Sequence, residues 1–180
     1  MLLLMVTNLL GREGDRNIII RVINKLAQSR QDSPDALFAF SRVASILGDY
    51  KLALELLEKT FVLKPDDDSV ALGYVATLQR LNRSEEALSW IEEMLRKRGD
   101  NDFNLRLSYA RLLSESSMYD EARRQFEILI VEEPNNTNVL FALALLYLQS
   151  GRIDDAEGYF TRLSTHGFRL NDVNYYLGRI

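Results

Sequence analysis

A chain of 180 residues, 47% hydrophobic and 27% charged, can bury a core of its own, which excludes a disordered or fibrous chain. A net charge of −4 leaves no electrostatic footprint for nucleic acid. The absence of cysteine excludes disulfides, thiolate zinc sites and cysteine nucleophiles, while a cysteine-free chain suits an oxidising and a reducing compartment equally.

The opening MLLLMVTNLLG is apolar, but it lacks the basic flank and small-x-small cleavage site of a signal peptide. It is also shorter than the roughly 20 residues needed to span a bilayer. It reads as a helix packed on its neighbours. GREGD, residues 11–15, reads as a turn with Gly14 in it, because no strand precedes it and no Gly-Lys-Ser/Thr follows.

From residue 34 the pattern sharpens. Ser33 is a candidate N-cap and Pro34 suits the first helical position, where its missing N–H costs nothing. Leu37, Phe40, Ala44 and Leu47 recur at helical spacing, Gly48 and Asp49 make a turn, and Ala53, Leu54, Leu57 and Phe61 mark a second helix. Pro65 follows its end and pushes Lys64 out of the helical region. No window alternates as a strand should, so no sheet is expected.

The same unit returns. Gly48, Asn82, Ser117 and Gly151 open turns that lead to Ala53, Ala87, Ala122 and Ala156, with alanine spacings of 34, 35 and 34. Pro65, Gly99, Pro134 and Phe168 recur past the second helices. A fixed period of this length is the mark of a repeat array. The alanines have a steric reason. Antiparallel helices joined by a short turn approach closely only where a small side chain sits at the contact. Small or modest residues recur in the first helices as well, at Ser41, Val75, Ala110, Ala144 and Gly178.

These positions resemble the tetratricopeptide repeat, a 34-residue helix-turn-helix unit. The copy at 137–170 carries Leu140, Leu143, Ala144, Tyr147, Gly151, Ala156 and Phe160, and the copy at 102–136 carries Tyr109, Ala110, Leu113, Ala122, Phe126 and Pro134. The copy at 68–101 is weaker, with Val75 and Gly99, and 34–67 completes the clear set. Residues 1–33 read as a degenerate repeat or entry cap, with Thr7 and Ile19 at the small positions. Residues 171–180 read as the first helix of a truncated copy. The resemblance implies an all-α fold, a single α-solenoid of stacked antiparallel helix pairs wound as a superhelix, with about ten or eleven helices. An apolar face left open at the cut copy makes a fragment of a longer protein the expectation.

No catalytic constellation is present, and neither enzyme activity, cofactor nor metal is expected. His166 is the only histidine and sits where a helix C-terminus should be. The run Asp66, Asp67, Asp68 lacks calcium-loop spacing and is expected to cap the next helix with help from Ser69. Arg96, Lys97 and Arg98 match a helix C-terminal dipole.

The resemblance places the working surface on the first helices, at the second, fifth, ninth, twelfth and thirteenth positions of each repeat. Those positions give an expected groove of Phe38, Arg42, Ser45, Leu72, Ala76, Gln79, Arg80, Leu107, Arg111, Ser114, Glu115, Phe141, Leu145, Leu148, Gln149, Tyr175 and Arg179. A Lys and Asn clamp for chaperone tails, known in one subtype, is not matched, because Phe38 and Arg42 stand at its first-repeat positions. Apolar anchors mixed with arginines suit an amphipathic helix or extended segment of a protein partner. A non-enzymatic scaffold or adaptor is the leading expectation. The alternatives are a self-associating assembly spacer, possible through exposed ends, and the regulatory part of a longer protein. The stretches 106–130 and 159–180 also look like the middle of long bacterial repeat proteins, some of them envelope lipoproteins serving as adaptors for periplasmic proteases. That likeness slightly favours a periplasmic site over a cytoplasmic one.

Overall fold

The computed structural model describes residues 13–99 and 102–180, and every regular element among them is helical. In chain order these are α1 (Glu13–Ser29), α2 (Pro34–Ile46), α3 (Tyr50–Leu63), α4 (Asp68–Arg80), α5 (Ser84–Arg98), α6 (Phe103–Glu115), α7 (Tyr119–Glu132), α8 (Thr137–Gln149), α9 (Ile153–Thr165) and α10 (Leu170–Leu177). The expectations for residues 1–12, including the packed apolar opening and the small position at Thr7, lie outside the described residues. The chain forms two compact units, one ending at Ala87 and the other beginning at Leu88.

The turns show how the repeat is written into the backbone. Gly48, Asn82, Ser117 and Gly151 all adopt positive φ, at 73°, 58°, 62° and 75°. The next residue in each case donates its N–H back into the first helix: Asp49 to Ala44, Arg83 to Leu78 and Met118 to Leu113 at 2.9 Å, and Arg152 to Tyr147 at 2.8 Å. This left-handed cap satisfies carbonyls that a helix end would otherwise leave open, and it turns the chain back on itself. Glycine reaches positive φ freely, whereas Ser117 holds it against its own Cβ.

In the first unit, α2 and α3 pack as an antiparallel pair, α4 lies against α3, and α1 covers α2. The core there holds Ile19, Ile23, Leu37, Phe40, Val43, Leu52 and Leu56. In the second unit, α6 pairs with α7 and α8 with α9, and α10 packs on α9. Its core is built on Leu113, Phe126, Leu129, Leu140, Leu143, Phe160 and Leu163. Ala53, Ala87, Ala122 and Ala156 are wholly buried, at 0% exposure. A larger side chain there would overpack the contact, at a cost of about 1–3 kcal/mol. Ser41, also buried, returns its hydroxyl to the Phe38 carbonyl at 2.7 Å, so a polar small residue is tolerated.

Two long side chains tie the open ends of helix pairs. Lys64 reaches Asp35 at 2.6 Å across the α2/α3 pair, and that partner raises its pKa. Arg162 donates to the Pro134 carbonyl at 2.6 Å across the α8/α9 pair.

Three sequence expectations need correction. Gly14 lies in the first turn of α1, not in a turn between helices. A glycine gives up little there, because the first N–H groups of a helix have no intrahelical partner anyway. Gly178 is exposed and caps α10. Ser33 stands at the N-cap of α2, but its side chain makes no capping hydrogen bond, and Pro34 at the first position removes one of the donors. Asp67 alone caps α4, accepting from Ser69 and Val70 N–H, so Ser69 contributes its backbone and not its hydroxyl.

Candidate functional site

The first unit contains an open cleft of about 450 Å³ between α2 and α4, floored by Leu57 of α3. Phe38, Arg42, Ser45 and Ile46 come from α2, and Gly73, Ala76, Thr77 and Arg80 from α4. Two of its hydroxyls are turned away into their own helices. Ser41 donates to Phe38, and Thr77 donates to the Gly73 carbonyl at 2.7 Å. The polar character left to the cleft is that of Arg42, Arg80, Ser45 and Tyr50. No acidic residue lines it. Arg42 and Arg80 have no hydrogen bond or ion pair to any described residue, and both are exposed.

Gly73 sits in the interior of α4 without needing positive φ, in an ordinary helical backbone. A Cβ added there would lie 3.3 Å from Leu57 Cδ2 and 3.6 Å from Phe38 Cε2. Glycine in a helix interior is less favourable than alanine by about 1 kcal/mol. What it provides here is a close approach of α4 to Leu57 and Phe38.

The second unit contains a smaller cleft of about 280 Å³ between α6 and α8, floored by Phe126. Its charges are partly balanced. Glu115 lines it beside Arg111, and Arg169, which also lines it, bonds Asp172 at 2.7 Å. The Arg169 guanidinium lies over the Phe141 ring, 4.6 Å from its centroid. Ser114 donates to Gln149 at 3.1 Å and joins the two walls. Arg111 is exposed at its edge, but partial burial against these walls pushes its pKa down, and Glu115 pushes it partly back.

The two clefts are one design used twice. Ala122 follows Ala53 by 69 residues, two repeat spacings. The same step carries Arg42 to Arg111, Ser45 to Ser114, Ile46 to Glu115 and Leu57 to Phe126. It also carries Gly73 to Ala142, Ala76 to Leu145 and Arg80 to Gln149. Two of the seven positions keep their residue, Arg42/Arg111 and Ser45/Ser114. The other five changes add bulk, lose positive charge or add negative charge, which accounts for a narrower and less cationic second cleft.

Among the residues expected from sequence, Phe38, Arg42, Ser45, Ala76 and Arg80 line the first cleft. Arg111, Ser114, Glu115, Phe141, Leu145 and Gln149 line the second. Leu72, Gln79, Leu107 and Leu148 are half-buried and line neither, and Leu107 and Leu148 pack on the second unit's core. Tyr175 and Arg179 also line neither. They pair with each other, the guanidinium donating to the phenol at 2.8 Å. Sequence reading did not assign Gly73, Leu57, Ala142, Phe126 or Arg169 to a cleft, although Leu57 and Phe126 stood out as packing positions. The first four stand in register across 69 residues, so comparing copies at every position would have found them.

No cluster of metal-ligating side chains occurs among the described residues. His166 caps the C-terminus of α9 and is exposed. Among the described residues no helix is long and apolar enough to cross a membrane.

Comparison with known proteins places these observations. The tetratricopeptide repeat family model matches residues 2–164. A TPR repeat-containing protein of Pseudomonas aeruginosa is 33% identical over 153 residues, which cover 85% of this chain and 26% of the relative. The chain thus spans about a quarter of that relative's length. The solved structure of PilW, a type IV pilus biogenesis factor, superposes with a TM-score of 0.70 at 17% identity, covering 97% of this chain and 83% of PilW. YrrB, a repeat protein described as having an unusual peptide-binding site, superposes with a TM-score of 0.66 at 16% identity, covering 96% of this chain and 88% of YrrB. At such identities the two structures show the α-solenoid fold and nothing further. The expectation that the chain is the middle of a long envelope protein is not borne out by these matches.

Proposed function

The chain belongs to the tetratricopeptide repeat family, and on that premise we propose that it is a non-enzymatic adaptor whose first-helix clefts hold a peptide or helix of a partner protein. The family's fold points to a protein–protein interaction scaffold. The observation that carries the finer reading is the pair of clefts in register, each with an apolar floor and an exposed arginine at the same repeat position, Arg42 and Arg111. Packing alone does not call for an exposed guanidinium at that place in both units. Apolar anchors with arginines at their edge are the side chains that dominate interaction surfaces. YrrB, with its peptide-binding site, provides a precedent of the same fold.

The test is affinity capture with the wild type beside an Arg42→Glu, Arg111→Glu chain that circular dichroism shows to be folded. A partner held by the wild type alone supports the reading. Equal capture by both chains contradicts it and moves the interaction to another face.

A further inference from the structure

We propose that the α2/α4 cleft receives an acidic extended segment of a partner protein. One apolar side chain of the segment would seat over Gly73 between Phe38 and Leu57, while its carboxylates pair with Arg42 and Arg80. The inference rests on the reading of the clefts as partner surfaces, and it names the cleft and the chemistry of its occupant.

Several of the chain's other arginines have a carboxylate partner close in sequence, while Arg162 and Arg179 bond neutral groups. Arg83, Arg123, Arg124, Arg152 and Arg169 each pair with a carboxylate three or four residues away on the same helical surface. Arg42 has Phe38, Ala39, Ser45 and Ile46 at those neighbouring positions, and Arg80 has Ala76, Thr77, Arg83 and Ser84. The sequence withholds an acid from every helical neighbour of both. Within the cleft no acid compensates, in a chain whose net charge is −4. Two guanidiniums left without a carboxylate beside one cleft favour an anionic occupant, and their planar forks suit carboxylates.

The shape of the cleft is a separate observation. Gly73 lets α4 lie close to Leu57 and Phe38, since an added Cβ would crowd Leu57 at 3.3 Å, where the matching position of the second unit carries Ala142. Glycine is the poorest helix former after proline, and its use inside α4 leaves Leu57 and Phe38 as the apolar floor and wall of the cleft. An apolar side chain inserted there would bury its surface against Phe38 and Leu57. Two arginines flanking an apolar notch do not make the extended basic stripe that a nucleic-acid backbone requires.

Fluorescence anisotropy with short labelled peptides tests the proposal. The probe is a peptide of Asp and Glu with one central Leu. Its controls replace the acids by Asn and Gln, replace the Leu by Ala, or replace the acids by Lys, and a labelled single-stranded oligonucleotide is included. The acidic Leu peptide should bind best, and loss of its Leu or of its acids should weaken it about tenfold or more. Arg42→Ala and Arg80→Ala should each weaken it about tenfold, whereas Val131→Ala, exposed on α7 and outside both clefts, should leave it unchanged. Both arginines are exposed, so the variants should fold, and circular dichroism checks that they do. No preference for the acidic Leu peptide, equal binding by the arginine variants, or tighter binding of the oligonucleotide would overturn the inference. Binding of a neutral or basic peptide that is lost on Arg111→Glu would overturn it while leaving the adaptor reading standing. Failure of every peptide would remove both.

Discussion

At seven positions, 69 residues apart, the two clefts can be compared side chain by side chain. The helices, turns and buried alanines that position those side chains are repeated, with Ala53 and Ala122 both wholly buried. What changes is the lining. Gly73, Ala76 and Arg80 become Ala142, Leu145 and Gln149, and the cleft shrinks from about 450 to about 280 Å³. The comparison separates two layers of information in a repeat protein. Frame positions are held by packing, which tolerates little change. Lining positions answer to solvent or to a partner, and so they can diverge between copies.

The frame itself gives the largest expected effect. Ala53→Leu and Ala122→Leu should each destabilise the chain by about 1–3 kcal/mol, measured by urea unfolding. If one costs much and the other nothing, the two units do not share the contact the comparison assumes.

The hairpin turns come next. Ser117 holds φ 62° where the first unit has Gly48 at 73°. Ser117→Gly should stabilise by about 1 kcal/mol, and Gly48→Ser should destabilise by a similar amount. The Cβ added at Gly48 would meet only the flexible end of Arg16, at 3.4 Å, so backbone strain is the effect being read. Thermal unfolding of the two variants gives the sign of each.

A smaller effect separates the matched arginines. Burial depresses the pKa of Arg111, which means the fold holds its charge at some cost. Arg111→Met should therefore be neutral or stabilising, by less than about 0.5 kcal/mol once discounted for solvent screening. Arg42→Met should change stability no more than an ordinary surface substitution. A clear loss of stability on Arg111→Met would show that Arg111 supports the fold.

The smallest effect is alkaline. Burial raises the phenol pKa of Tyr74 in the first unit and of Tyr109, Tyr147 and Tyr159 in the second. A folded pKa above the unfolded value gives stability that is complete below about pH 10 and is lost as pH rises through the folded pKa. The second unit should therefore loosen first as pH is raised beyond that point. Hydrogen exchange resolved by segment would show it, and earlier loosening of the first unit would contradict the assignment.

Much of the frame was legible because packing writes it into residue types at a fixed period. Ala53, Ala87, Ala122 and Ala156 were found from spacing, and so were the turns at Gly48, Asn82, Ser117 and Gly151. Asn82 and Ser117 show that the turn geometry, not glycine itself, is what recurs. The lining was legible only in part. Periodicity identifies a face of a helix, but it does not show which residues of that face enter a cleft. Leu107 and Leu148 share the pattern of Phe38 and Leu145, yet line no cleft and pack on the core. Gly73 was passed over because an isolated glycine in a helical pattern reads as a weak helix former, and only the Leu57 and Phe38 atoms around it show its use. Arg106 was unreadable for a related reason. It is buried where the matching position of the following repeat has Leu140, and it is accommodated by Gln125, 2.6 Å away on the partner helix.

The most direct test of the account is a backbone amide NMR titration of the chain with the acidic Leu peptide. Shifts confined to the end of α2 and to α4, from Phe38 to Ile46 and from Gly73 to Arg80, are the predicted result. Shifts centred on α6 and α8, or on residues near Tyr175, would contradict the claim that divergence of the lining has made the first cleft the acidic-peptide site.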